Sequence, residues 1–138
     1  MNHRIGLFDM ILLKDNHVDF SGGITAALTR AKNYCEEKGK DLRIEIETRN
    51  EEEIREALAT NIPDRIMLDN FSPERTKGAV HIIRTWEKEN GKHIEIESSG
   101  GITIDTIRSY AETGVDFVSV GALTHSIKSL DMSFKAVK

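Results

Sequence analysis

The chain has 138 residues, of which 38% are hydrophobic and 30% are charged, and its formal net charge is -4. This length suits one domain with its own core, and the charge argues against a nucleic-acid surface, which needs clustered Lys and Arg. No apolar run reaches the roughly 20 residues of a membrane helix, and the first residues lack the apolar core of a signal peptide. We therefore expect a cytoplasmic protein that binds neither nucleic acid nor membrane. Cys35 is the only cysteine, which excludes an internal disulfide.

The first part of the chain predicts a strand, a loop and a helix. The apolar run Met10–Leu13 predicts a strand that ends at Lys14, and residues 14–23 predict a loop with a glycine pair. Residues 24–35 carry apolar side chains at helical spacing, and Gly39 is a suitable helix end.

The same alternation continues through the middle of the chain. Residues 42–47 and 65–68 predict two strands. Asn50 is a suitable N-cap for a helix after the first of them, and Ser72 opens a helix that runs toward Glu89 after the second.

The last part adds two further strands, at residues 94–97 and 116–120, with a helix over about 105–112 between them. A short helix is expected after residues 121–125, and residues 130–134 form either an edge strand or a tail. Strands that alternate with helices indicate parallel pairing through right-handed crossovers. We predict an α/β fold: a partial (β/α) barrel of about five parallel strands with alternating helices, similar to a TIM barrel, in a single domain over residues 1–138.

Strand parity divides each strand into two faces. One face is apolar and should lie under the helices: Ile11, Leu13, Ile44, Ile46, Ile66, Leu68, Ile94, Ile96, Val118 and Val120. The other face carries many polar side chains: Leu12, Lys14, Glu45, Glu47, Met67, Asp69, Glu95, Glu97, Ser99, Phe117, Ser119 and Gly121. Unpaired carboxylates are costly to bury, so a barrel interior lined by this face is either open to water or built around bound cations. A flat sheet with one solvated face is the alternative, but parallel sheets are usually covered on both faces, which favours the barrel.

The turn that follows the fourth strand, Glu97–Thr103, contains a glycine pair before a predicted helix. Free backbone N–H groups at a helix start bind phosphate, and (β/α) barrels often hold phosphate after their last two strands. Ser99, Gly100, Gly101 and, after the last strand, Gly121 are therefore candidate phosphate-binding residues.

Other polar residues end neighbouring strands at the same rim. Glu47 and Asp69 share one face, an arrangement suited to Mg²⁺ or to ribose hydroxyl groups, although two solvated acids would give the same pattern. Lys14 ends the first strand, and we expect it to point to the same interior because it follows an apolar strand. A surface lysine with an extended side chain is the alternative.

Three further residues are weaker candidates for ligand binding when judged from the residues alone. His3 and Arg4 precede the first strand and could hold carboxylate groups, since Arg offers a planar bidentate fork. His125 follows Gly121 and could donate to phosphate from a helix start, while a surface histidine is the plain alternative.

Five motif segments follow one another along nearly the whole chain: residues 12–17 (LLKDNH), 44–47 (IEIE), 67–71 (MLDNF), 99–102 (SGGI) and 118–125 (VSVGALTH). Together, and in this order, they closely resemble the quinolinate phosphoribosyltransferase family, the carboxylating nicotinate-nucleotide pyrophosphorylases. The resemblance implies transfer of a phosphoribosyl group from 5-phosphoribosyl 1-diphosphate to quinolinate, with decarboxylation, giving nicotinate mononucleotide, CO₂ and pyrophosphate. It also implies a place in NAD biosynthesis and Mg²⁺ as cofactor.

By motif position, the resemblance assigns three groups of residues. The quinolinate side is formed by His3, Arg4 and Lys14. Glu47 and Asp69 hold Mg²⁺ and the ribose hydroxyls, and with Lys14 they are the candidate catalytic residues. The phosphate side is formed by Ser99, Gly100, Gly121 and His125, with Gly101 permitting the turn.

The chain also departs from the family pattern. Thr48 and Arg49 stand where relatives commonly carry an apolar residue and an acid, and the family's N-terminal domain, an Arg-Lys-Thr strand and a partner subunit's arginine have no counterpart here. Five strands do not close a barrel, and open edges favour self-association. We therefore expect the C-terminal portion of such an enzyme, a homo-oligomer that is weak or inactive by itself. A non-catalytic phosphate-binding fragment and another phosphate-binding barrel enzyme are the alternatives.

Overall fold

The structure, a computed structural model, describes residues 10–130. Within them lies a single curled sheet whose strands are ordered as in the chain: β1 (Met10–Leu13), β2 (Arg43–Thr48), β3 (Arg65–Asp69), β4 (Glu95–Ser99), β5 (Phe117–Val120) and β6 (Leu123–Ser126). The first five strands are parallel, and β6 runs antiparallel to β5. The predicted class, an α/β partial barrel with alternating helices, is confirmed.

The helices connect successive strands. They are α1 (Asp15–Ser21), α2 (Ile24–Lys38), α3 (Glu51–Thr60), α4 (Pro73–Asn90) and α5 (Ile107–Ala111), and a 3-10 helix spans Ile127–Ser129. Because the strand order never reverses, right-handed crossovers place the connecting helices on one face of the sheet. The other face, called here the inner face, is the concave side of a half-barrel.

The ends of the long helices follow the predicted signals. Asn50 caps α3, since its Oδ1 accepts the Glu53 N–H at 2.9 Å. Ser72 caps α4 in the same way, its Oγ accepting the Arg75 N–H at 3.1 Å. Each cap satisfies one of the N–H groups left free at a helix start, which stabilises the helix by about 1 kcal/mol.

The core lies between the apolar strand face and the helices, as strand parity predicts. Ile46, Ile66 and Ile96 occupy matched positions on three neighbouring strands and are fully buried. Leu28 of α2 and Ile54 of α3 are buried in the same cluster. This layer holds the sheet in place and leaves the polar strand positions on the inner face.

Two local predictions are wrong. Residues 14–23, predicted as a loop, contain α1, which is too short, with Val18 as its only buried residue, to show helical periodicity. Residues 123–126 form the strand β6, because the left-handed Gly121 closes a two-residue hairpin between Val120 and Leu123. The short helix expected after residue 125 is present as the 3-10 helix, and the helix expected over about 105–112 is present with shorter bounds, beginning at Ile107.

Two other expectations concern the end of the chain and membrane-spanning helices. The edge strand or tail expected after Leu130 lies outside the described residues. Among residues 10–130, no helix is both long and apolar enough to cross a membrane.

Candidate active site

The polar ends of the first four strands meet at one rim of the inner face. Lys14 follows β1, Glu47 lies near the end of β2, and Asp69 and Ser99 are paired at the ends of β3 and β4. Glu47 is opposite Met67, two residues before Asp69, so the two acids are diagonal neighbours on adjacent strands. The structure thus brings together four of the residues predicted for the site. These four residues are called the rim.

Glu47 is held by the start of α1. Its Oε1 accepts the backbone N–H of Asp15 at 2.7 Å. Partial burial raises the pKa of Glu47, and the charges of Asp69 and Asp15 act in the same direction, while the Asp15 N–H and Lys14 oppose them. The site therefore places negative charge where a cation or a hydroxyl donor would relieve it.

Asp69 occupies a similar environment. Partial burial is the main cause of its raised pKa, the charge of Asp15 adds to it, and Arg49 acts in the opposite direction. Sequence reasoning left Asp15 out of the site. Its position directly after Lys14, in the first turn of α1, could have indicated that it lies close to the rim.

The glycine turn after β4 packs against the end of β3. The Asn70 N–H donates to the Ser99 carbonyl at 2.9 Å, and Gly100 and Gly101 have φ values of 93° and 74°. A Cβ on Gly100 would lie 2.9 Å from the Asn70 nitrogen, so both backbone conformation and space require glycine here. The turn is thereby fixed beside Asp69.

The predicted link between this turn and a helix start is wrong. Between the glycine pair and α5 lies a separate turn in which the Thr103 N–H donates to Thr106 Oγ1 at 3.0 Å. The five-residue α5 begins only at Ile107. Any anion binding by Gly100 and Gly101 would depend on the local backbone and not on a helix terminus.

The other predicted site residues are placed differently. Gly121 forms the exposed turn between β5 and β6. His125 lies in β6 and not at a helix start, which corrects that part of the prediction. It is paired with Val118 and shares its face of the sheet, whereas Thr124 is paired with Ser119 on the inner face. His3 and Arg4 lie outside the described residues.

Below the rim, the inner face carries a second group of charged residues that sequence reasoning did not include as a unit. Arg65 donates from Nε to Glu95 Oε1 at 3.1 Å and from Nη1 to Glu97 Oε1 at 3.4 Å. Arg43 donates from Nη2 to the same Glu95 oxygen at 2.8 Å. With Glu45, these residues are called the lower layer.

Two features of the lower layer compensate its carboxylates within the protein, whereas strand parity predicted an interior either open to water or built around bound cations. Arg43 and Arg65 supply the positive charge from the same strands, and the Arg65 guanidinium also lies 4.0 Å from the centre of the Phe117 ring. Burial raises the pKa of Glu45 to about 9, with the neighbouring Glu97 acting in the same direction, so Glu45 is neutral near pH 7. Arg43 and Arg65 have the same strand parity as the inner-face acids, and this parity was the sequence signal that could have placed them in the lower layer.

The described residues contain no group of three or more His, Cys, Asp and Glu side chains placed to hold a metal ion. Glu47 and Asp69 are two carboxylates, which is sufficient for Mg²⁺ when water and phosphate oxygens complete its coordination. The predicted Mg²⁺ site remains a prediction.

Comparison with known proteins identifies the relationship. Residues 1–135 match the family model for the quinolinate phosphoribosyl transferase C-terminal domain. The chain belongs to the quinolinate phosphoribosyl transferase family. This is the family that the five motif segments indicated.

Individual relatives agree with this assignment. The probable nicotinate-nucleotide pyrophosphorylase [carboxylating] of Methanocaldococcus jannaschii is 46% identical over 136 residues, covering 99% of this chain and 46% of the relative. The chloroplastic nicotinate-nucleotide pyrophosphorylase [carboxylating] of Arabidopsis thaliana is 41% identical over 142 residues, covering 97% and 40% respectively. The chain thus spans less than half the length of these quinolinate phosphoribosyl transferase relatives.

Solved structures extend the likeness to three dimensions. NadC from Streptococcus pyogenes is 38% identical, with a TM-score of 0.70 over 94% of this chain and 42% of that one. The nicotinate-nucleotide pyrophosphorylase of Francisella tularensis is 40% identical, with a TM-score of 0.67 over 91% and 41%. The partial barrel is therefore a fold that quinolinate phosphoribosyl transferases contain within a longer chain.

Proposed function

We propose that this chain forms part of a site for phosphoribosyl transfer from 5-phosphoribosyl 1-diphosphate to quinolinate, a step of NAD biosynthesis. The bond between ribose C1 and the diphosphate oxygen breaks, its electron pair leaves with pyrophosphate, and the pyridine nitrogen bonds to C1. Loss of the 2-carboxylate as CO₂ leaves an electron pair on the ring carbon, which takes a proton and gives nicotinate mononucleotide. The observation that carries the proposal is the gathering of Lys14, Glu47, Asp69 and Ser99 at one rim, in a chain that matches the family model over residues 1–135.

Lys14 is the cation that this rim offers to a dicarboxylate. It is exposed at the end of β1 and interacts favourably with the charge of Glu47. A positive charge beside the substrate carboxylates would also stabilise the electron pair left by decarboxylation. His3 and Arg4 are assigned to the same side by the resemblance alone.

The rim acids fit Mg²⁺ and ribose hydroxyl groups. Carboxylate oxygens are the hard ligands that Mg²⁺ prefers. Partial burial is the main cause of the raised pKa values of Glu47 and Asp69, and neighbouring negative charge adds to it, so a bound cation would stabilise both carboxylates. When bound, Mg²⁺ would neutralise charge on the diphosphate leaving group. The two side chains would orient the ribose by accepting its hydroxyl hydrogen bonds.

The glycine turns are proposed to bind phosphate. Gly100 and Gly101 lie next to Asp69, and the left-handed Gly121 turn is exposed at the end of the neighbouring strand β5. Backbone N–H groups of such turns can form an anion-binding concavity without a helix terminus. We assign His125 to this group only through the family motif.

One observation favours a second function, that of a non-catalytic phosphate-binding unit. The chain spans 46% of the Methanocaldococcus relative and 40% of the Arabidopsis relative, so more than half of each of those proteins lies outside the matched region. We expect weak or no turnover by the isolated chain and propose that it works as a homo-oligomer or with a partner chain. The plant relative carries the word chloroplastic in its name, and a cytoplasmic location for this chain remains a prediction.

Calorimetry with quinolinate and with 5-phosphoribosyl 1-diphosphate, with and without Mg²⁺, tests the proposal. We expect Lys14→Ala to weaken quinolinate binding by at least about tenfold, equivalent to about 1.4 kcal/mol. Lys77→Ala, which changes an exposed lysine of α4, is the matched control and should bind as wild type does. Binding of the diphosphate without any binding of quinolinate would support the non-catalytic function, and binding of neither ligand would contradict both.

A further inference from the structure

Glu97 is an acidic residue at the centre of the lower layer, and it is almost completely buried. Only 4% of its surface is exposed, and it lies on β4 two residues before Ser99. A buried carboxylate is stable only when charged or polar groups compensate it. The groups that compensate Glu97 belong to three other strands.

The contacts of Glu97 extend mainly toward the β5–β6 hairpin. Ser119 Oγ donates to Glu97 Oε2 at 2.6 Å, and Thr124 Oγ1 lies 3.5 Å from the same oxygen. The two hydroxyl groups are themselves 3.0 Å apart. The other carboxylate oxygen faces Arg65 of β3 at 3.4 Å. Glu97 therefore joins the hairpin to the middle of the sheet.

Ser119 and Thr124 are placed on either side of the Gly121 turn. They are partners in the β5–β6 register, and the pair Val120 and Leu123 lies between them and the turn. The register pairs between β4 and β5 are Glu97 with Phe117 and Ser98 with Val118, both before the turn. The polar contacts to Glu97 therefore connect the hairpin to β4 on the inner face, closer to the turn than the last β4–β5 register pair.

We propose that Glu97 is a positioning residue, which acts through Ser119 and Thr124 to fix the Gly121 turn against the Ser99–Gly101 turn so that both face one phosphate group. The inference rests on the proposed function for the ligand that it names. The order of the hairpin itself does not depend on that function. Glu97 contacts no reacting atom, and its role is to keep the two phosphate-binding turns in position.

The experiment compares wild type with Ser119→Ala, which removes the hydroxyl donor, and Ser119→Thr, which keeps a hydroxyl group on a residue suited to a strand. Ser109→Ala, at an exposed position of α5, is the control for removing a serine hydroxyl. Affinities for 5-phosphoribosyl 1-diphosphate and for quinolinate are measured by calorimetry in the presence of Mg²⁺. Hydrogen exchange of the Gly121 and Leu123 amides is measured by NMR, with Ile66 in the central strand as reference.

For Ser119→Ala we expect the affinity for 5-phosphoribosyl 1-diphosphate to fall by about tenfold, as for loss of one hydrogen bond to a charged group, with no change for quinolinate. Exchange at Gly121 and Leu123 should rise by about tenfold while exchange at Ile66 stays constant, because local opening is separate from global unfolding. Ser119→Thr should restore both readouts, and Ser109→Ala should match wild type.

Unchanged exchange and unchanged diphosphate affinity in Ser119→Ala would overturn the inference, as would an equal loss of affinity for both ligands. If wild type binds neither ligand, the proposed function fails, and exchange at the hairpin then decides alone whether Glu97 and Ser119 order the Gly121 turn.

Discussion

The rim and the lower layer of the inner face carry charges of the same kind and compensate them differently. In the lower layer, the acids contact Arg43 and Arg65 or, as with Glu45, are neutral. At the rim, Glu47 is compensated by a backbone N–H from α1 and by Lys14, and its carboxylate remains partly exposed. The same strands thus provide a buried polar interior and, closer to their carboxyl ends, a partly exposed polar surface that can bind ligands.

The difference shows why both levels can exist in one small half-barrel. Buried charges need partners within the protein, since water is not available to solvate them. Rim charges can be left for a substrate or a metal ion, because water compensates them until a ligand arrives. Loss of a charge partner in the lower layer should therefore lower stability, whereas loss of a rim carboxylate should lower ligand binding with little effect on stability.

The largest effect is expected for Arg65→Met, which removes the cation between Glu95 and Glu97. The Arg65 side chain is only 14% exposed, and breaking a buried pair by removing one partner costs about 3–5 kcal/mol. Urea unfolding measures this loss. Arg43→Met is the control, because its side chain is 46% exposed and its contact with Glu95 should contribute less. Equal losses in the two variants would contradict a distinct buried layer.

Glu45→Gln should change how stability depends on pH. In wild type, the folded-state pKa of Glu45 is raised from 4.5 to about 9, so the stability that its proton provides is complete below about pH 4.5 and is lost progressively as pH rises to about 9. Gln does not titrate. The free energy of unfolding of the variant should therefore rise relative to that of wild type as pH increases, by at most about 1.4 kcal/mol for each pH unit.

Urea unfolding of both proteins at several values between pH 5 and pH 8 provides the measurement. Glu36→Gln, at an exposed position of α2, is the control for replacing a glutamate by glutamine. If the difference in unfolding free energy between Glu45→Gln and wild type does not change with pH, the buried Glu45 is not neutral and the lower layer is not compensated as described.

Asp69→Asn should affect binding more than stability, in contrast to the lower-layer variants. It removes one of the two rim carboxylates, and the affinity for 5-phosphoribosyl 1-diphosphate with Mg²⁺ should fall by about tenfold, or about 1.4 kcal/mol. The gain in affinity that Mg²⁺ gives to wild type should shrink in the variant. Asp41→Asn, at an exposed position before β2, is the matched control. An undiminished Mg²⁺ effect in Asp69→Asn would remove Asp69 from the metal site.

Much of the fold follows from local signals in the sequence. The strand parity gave the two faces of the sheet, and caps such as Asn50 and Ser72 located the long helices. The short α1 and the hairpin strand β6 were missed for a physical reason. Neither buries enough apolar surface to show a period, and both depend on contacts with distant strands, such as Glu47 for α1 and Glu97 for β6.

The candidate site was predictable only where parity and strand ends determine it. Lys14, Glu47, Asp69 and Ser99 meet as expected because parallel strands end at one rim. The contributions of Asp15 and of the lower-layer arginines depend on how side chains meet across a curved sheet, which parity alone does not describe.

The smallest effect is expected at Arg49, which lies directly after β2. Its guanidinium donates to Asp19 of α1 and to Glu53 of α3, and it lowers the pKa of Asp69 against the effect of burial. The pairs are partly exposed, so Arg49→Ala should cost less than about 1 kcal/mol of stability. The pKa of Asp69 should nevertheless rise, because a nearby positive charge is lost. A ¹³C NMR titration of the Asp69 carboxyl measures this shift, with Arg30→Ala of α2 as a control that leaves it unchanged. If Asp69 titrates at the same pH in both variants, Arg49 does not influence the rim.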